Sequence, residues 1–107
     1  MAYKVLGQIA AAATTEEGLY AVPASSSAVV STIVIANRGT TSATYRIAVK
    51  PTAATTLANV HYIAFDVPIA PNDSTALTLG LTLAATNAIR TYASNANLTF
   101  SAFGSEL

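Results

Sequence analysis

STALTLGLTL, residues 74–83, alternates without a break: Leu77, Leu79, Leu81 and Leu83 on one parity, Ala76, Thr78, Gly80 and Thr82 on the other. A period of two sends the leucines to one face of a β-strand, whereas a helix groups apolar residues three and four apart. Turns bound the segment. Pro71-Asn72-Asp73 precedes it, with φ fixed at the proline and local side-chain bonding at the two residues after it. AATN (84–87) follows it.

The same grammar extends in both directions. AYKVLGQI (2–9), LYAVPA (19–24), SATYRIAVK (42–50), VHYIAFDVPIA (60–70), AIRTYAS (88–94) and LTFSAFGSEL (98–107) read as strands. Between them lie SSS (25–27), NRGTTS (37–42), the polar loop PTAATTLAN (51–59) and NAN (95–97) as turns or loops. AVVSTIVIAN (28–37) is rich in β-branched residues, which favour strands. Its two parities are Val29, Ser31, Ile33, Ile35 and Val30, Thr32, Val34, Ala36, both largely apolar. That predicts a strand covered on both sides, by the core and by another subunit. AAAATTEEG (10–18) has alanine's helix preference but no apolar stripe to anchor a helix, and reads as an extended arm. The expected fold is all-β: a single antiparallel sandwich of about eight strands, Ig-like or jelly-roll-like. Residues 1–18 form an N-terminal strand and arm that can cross to a neighbour, and residues 19–107 the sandwich domain.

A chain of 107 residues is one domain, large enough for one core. It contains no cysteine, which excludes disulfides, thiolate metal sites and cysteine nucleophiles. Charged residues make up 9% of the chain, against about 25% in ordinary soluble domains. Lys+Arg and Asp+Glu are five each, so no basic footprint for nucleic acid exists. Solvated positions are hydroxyls rather than charges. A free monomer of this composition sits near its solubility limit, and burial in an assembly relieves it. The opening residues lack a secretory signal, and the apolar run at 28–36 is too short to span a bilayer.

The single histidine, His61, lies near Asp66 and Asp73. In a regular strand His61 and Asp66 have opposite parity, and Asp73 lies beyond the turn at Pro71. Zinc needs three or four ligands, and no second histidine exists. A serine nucleophile would have only His61 as base and has no G-x-S-x-G elbow. Arg46 and Lys50 share a strand face, as do Arg90 and Tyr92; Glu16-Glu17 fall in the arm. Tyr62 and Tyr92 are the residues a carbohydrate-binding module would use for stacking. The reading is no enzyme: no catalytic, cofactor-binding or metal residues, no cofactor and no small-molecule substrate.

The run VPASSSAVVSTIVIANRG, then ATYRIAV, then HYIAFDVPIAPNDSTALTLGLTLAATNAIRTYAS and LTFSAFGSEL, resembles small virion proteins of tailed phages, notably cyanophages. The resemblance covers residues 19–107 and the MAYKVLGQ opening. It implies a virion structural role, foremost a capsid cement or decoration protein acting as a homotrimer on the major capsid protein. A neck, tail or baseplate component is the alternative. It also implies a place in the phage particle, assembled in the host cytoplasm, with no nucleic-acid or membrane partner. No catalytic residue comes with it.

Overall fold

The computed structural model describes residues 2–52 and 54–107; Met1 of the 1–18 segment and Ala53 of the 51–59 loop lie outside the described residues. The strands are β1 (Ala2–Ala10), β2 (Glu17–Ala21), β3 (Ala28–Asn37), β4 (Ala43–Lys50), β5 (Tyr62–Ile69), β6 (Ser74–Leu83), β7 (Ala88–Ala93) and β8 (Leu98–Glu106). One turn of 3-10 helix, Asn59–His61, precedes β5. Two four-stranded sheets form, in the orders β1-β8-β3-β6 and β2-β7-β4-β5, with every strand pair antiparallel. Only the β4–β5 connection stays within a sheet; every other passes from one sheet to the other. That is the strand order of a jelly roll, and it selects this form of sandwich over the Ig-like one.

The molecule measures 42 × 29 × 18 Å, the thickness of two packed sheets. Val30, Ile33 and Ile35 of β3 and Leu98, Phe100 and Ala102 of β8 meet Tyr45 and Ile47 of β4 and Ile89 of β7, all essentially inaccessible. Phe100 and Tyr45 join the sheets edge to face, their ring centroids 6.3 Å apart. Burial of each such side chain contributes about 1.5–3 kcal/mol.

The register corrects two sequence expectations. Val30 and Thr32 flank a shift in the pairing of β3 with both neighbours. Before it Val30 faces the core; after it Ile33 and Ile35 do. The irregularity therefore explains why both parities of AVVSTIVIAN are apolar: much of the apparent second face is one core face interrupted. The same irregularity interrupts the leucine stripe of β6. Leu77, Leu81 and Leu83 pack on the core, but Leu79 is exposed beside Gly80, whose φ is +65°.

The segment expected to reach away as an arm lies on its own sandwich. β1 pairs along its length with β8, Ala11 is buried, and the Ala11 N–H donates to the Leu98 carbonyl at 2.9 Å. Ala13 bridges Ala93 of β7, and the Ala12 N–H donates to Glu17 Oε1 at 2.8 Å. Residues 11–16 thus form a strap across one end of the second sheet. Alanine's small side chain lets this backbone lie close, which a propensity argument on an isolated segment does not weigh.

Candidate functional site on the sandwich faces

The stretch around His61 separates into three local motifs. His61 is on the 3-10 turn, where its Nδ1 accepts the Ala58 N–H at 2.9 Å. Asp73 accepts the Ser74 N–H at 2.8 Å through Oδ1, and its carbonyl accepts the Asn37 N–H. Asp66 turns to Arg46. Among the described residues, no group of three or more acidic or histidine side chains converges where it could hold a metal ion.

Asp66 reaches Arg46 because β5 is irregular. Val67 pairs with Tyr45 and Ala64 with Ile47, which leaves Phe65 and Asp66 opposite the single residue Arg46. Asp66 takes the extra position with φ +51°, a left-handed conformation that aspartate tolerates better than most residues. Both side chains meet Arg46 on the outer face. The carboxylate takes the guanidinium in two contacts, Nε to Oδ1 at 2.6 Å and Nη2 to Oδ2 at 3.2 Å. The guanidinium lies 4.2 Å from the Phe65 ring centroid and 4.4 Å from that of Tyr92. Tyr62 packs edge to face on Phe65 at 4.9 Å. The Asp66 hydrogen bond raises the Arg46 pKa further above its ordinary range.

A second ionic group lies beside the first. Arg90 of β7 donates through Nε to Glu16 of the strap, and Lys50 Nζ is 4.0 Å from the same carboxylate. Lys50 is buried, so the nearby carboxylate offsets a charge that is costly to desolvate. Between these groups a recess of about 320 Å³ opens. Ala48 and Thr91 of the sheet, Tyr62, Tyr92 and Leu57, and Thr14 and Glu16 of the strap are among the residues that line it. Sequence parity correctly paired Arg46 with Lys50 and Arg90 with Tyr92. It could not join β4 to β7, bring Glu16 to Arg90, or bring Phe65 and Asp66 to one face.

The outer face of the β1-β8-β3-β6 sheet is chemically the opposite. Lys4 and Glu106 are the only charged residues in its four strands, and they pair with each other at 3.1 Å. Glu106 also accepts the Tyr20 hydroxyl. These two hydrogen bonds, Tyr20's first, hold the Glu106 carboxyl below its ordinary pKa. Burial, then the bond to Glu106, raises the Tyr20 phenol. The outward row of β8 (Thr99, Ser101, Phe103, Ser105) lies between Ala10, Gln8, Val5, Tyr3 of β1 and Ala36, Val34, Thr32, Val29 of β3. Tyr3 is 91% exposed, Val5 50% and Val29 38%. This outward row is apolar and hydroxylic; Lys4 and Glu106 belong to the opposite parity, level with Gly104 and Ala28, where Tyr20 of the other sheet reaches Glu106.

Comparison of the chain with family models, with curated proteins and with solved structures finds no match.

Proposed function

We propose that the chain is a phage virion structural protein, a capsid cement that clamps neighbouring major capsid subunits through the outer face of its β1-β8-β3-β6 sheet. One observation carries the reading: that face keeps Tyr3, Val5 and Val29 in water with no charged side chain among them. Contiguous apolar surface of this kind marks interaction sites. The molecule's 42 × 29 Å outline leaves room for the about 800 Å² per partner of a standard interface. Removing that apolar area from water contributes about 25 cal/mol per Å² before ordering costs. The resemblance to tailed-phage virion proteins supports the same reading, and with it a homotrimer.

Incorporation of Val34→Lys tests the proposal. Val34 is half-buried in the outward row and pairs with Ser101 and Ala76. A lysine there keeps its head in water in the free protein but would be desolvated under a partner. The variant should fold and fail to decorate particles that lack the protein, while the unaltered chain adds in hundreds of copies across the shell. Equal incorporation of V34K would refute the proposed face. A few copies at one vertex would assign a neck or tail role instead, and a monomer in sedimentation equilibrium at every concentration would remove the trimer.

A further inference from the structure

We propose that the recess between the strap, Leu57 and the outer face of the β2-β7-β4-β5 sheet binds one neutral pyranose ring of a glycan. The inference does not depend on the cement reading, because the recess lies on the opposite sheet.

The lining selects the ligand by elimination. Arg46 and Arg90 are each met by a carboxylate, Asp66 and Glu16, so the two guanidiniums present little net charge to attract a phosphate or carboxylate. An ammonium ligand would compete with Arg46 for the ring faces of Phe65 and Tyr92. A purely apolar ligand would cover Tyr62 and Tyr92 without offering their hydroxyls a partner. A neutral polyol ring meets all these constraints. Its C–H face packs on Leu57 and an aromatic ring, and its hydroxyls exchange hydrogen bonds with the tyrosines, Thr14 and the free edges of the Arg90–Glu16 pair.

Size and rigidity agree. A recess of about 320 Å³ is at the small end of ligand pockets and suits one ring rather than a chain. Its walls are already fixed, Arg46 between two rings and Glu16 by Arg90, so little ordering is required on binding.

The test is an NMR titration of isotope-labelled protein with the methyl pyranosides of glucose, galactose, mannose and N-acetylglucosamine, each to about 50 mM, the range where single-ring affinities of millimolar Kd are read. At least one glycoside should move the resonances of Tyr62, Tyr92 and the Arg46 and Arg90 side chains and leave the opposite sheet unmoved. Tyr62→Ala should weaken binding at least about tenfold and Tyr62→Phe only a few-fold, since the ring survives. Leu57→Ala, in a loop outside the sheets, gives a second variant and should weaken binding several-fold. V34K should bind as the unaltered chain does, so this test and the decoration test fail separately. Absence of shifts with all four glycosides would overturn the inference. So would unchanged affinity in both Y62A and L57A, or equivalent shifts at these residues from sodium phosphate or tetramethylammonium chloride.

Discussion

Gly104→Ala should be among the most damaging single-methyl additions to this protein. Gly104 is on β8, between Lys4 of β1 and Val30 of β3. A Cβ built on it would stand 1.9 Å from the Val29 carbonyl oxygen, with the Val29 carbonyl carbon and Val30 Cα at 3.0 Å. All three are backbone atoms, so no rotamer change relieves the collision. The strands must part by about 1 Å in the middle of the sheet, and overpacking of this kind costs about 1–3 kcal/mol. Stretching one or two ladder hydrogen bonds adds about 1 kcal/mol each. The expected loss is therefore about 3 kcal/mol, which lowers the Tm of a domain of this size by roughly 12 °C or more. Gly80→Ala is the control: open space surrounds that position, and the penalty comes only from its φ of +65°, about 1 kcal/mol. Urea unfolding of the two variants, with slopes checked for equality, gives the difference directly. If G104A loses no more than G80A, the close approach of β3 to β8 does not constrain position 104, and the reasoning fails.

Three further outcomes follow from the geometry. Arg46→Lys keeps the charge but loses the planar stack and the forked contact to Asp66, and should cost about 1 kcal/mol in denaturant unfolding; Asp66 is substantially exposed, so a much larger loss would count against the surface placement. Deleting residues 1–18 removes β1, whose Leu6 and Ile9 pack on the core beside β8, the first two residues of β2 and the Glu16 carboxylate, and should abolish cooperative unfolding; a truncated chain with a sharp thermal transition would show that this segment is dispensable. Glu106 has a lowered folded-state pKa, so its contribution is complete above the unfolded value of about 4.3 and is lost as pH falls through the folded value. Stability should therefore decline below about pH 4.3, and Glu106→Gln should flatten part of that decline in acid titrations followed by circular dichroism.

The sequence by itself determined the class of fold. Period-two segments such as STALTLGLTL, punctuated by Pro, Asn and Gly, permit strands joined by short turns and offer no amphipathic helix; eight of them with 9% charge dictate a sandwich with one shared core. Parity also placed Tyr45 with Ile47 and Arg46 with Lys50, because alternation within a strand is local chemistry. Strand order, by contrast, is not local. β1 lies beside β8 and β3 beside β6, which only packing of the two sheets decides. The irregularities in β3 and β5 shift parity, and the one in β6 interrupts its leucine stripe without reversing it. They reassign Val30 and Ile33 to one face, expose Leu79, and turn Phe65 and Asp66 together onto Arg46. Glu16 meets Arg90 across 74 positions because the alanine strap crosses the end of the second sheet. The segregation of ion pairs to one outer face and apolar and hydroxyl groups to the other belongs to the tertiary structure. Each strand carries its own alternation, but which outward rows become neighbours depends on strand order, and strand order is fixed by the lowest-energy burial of the whole core.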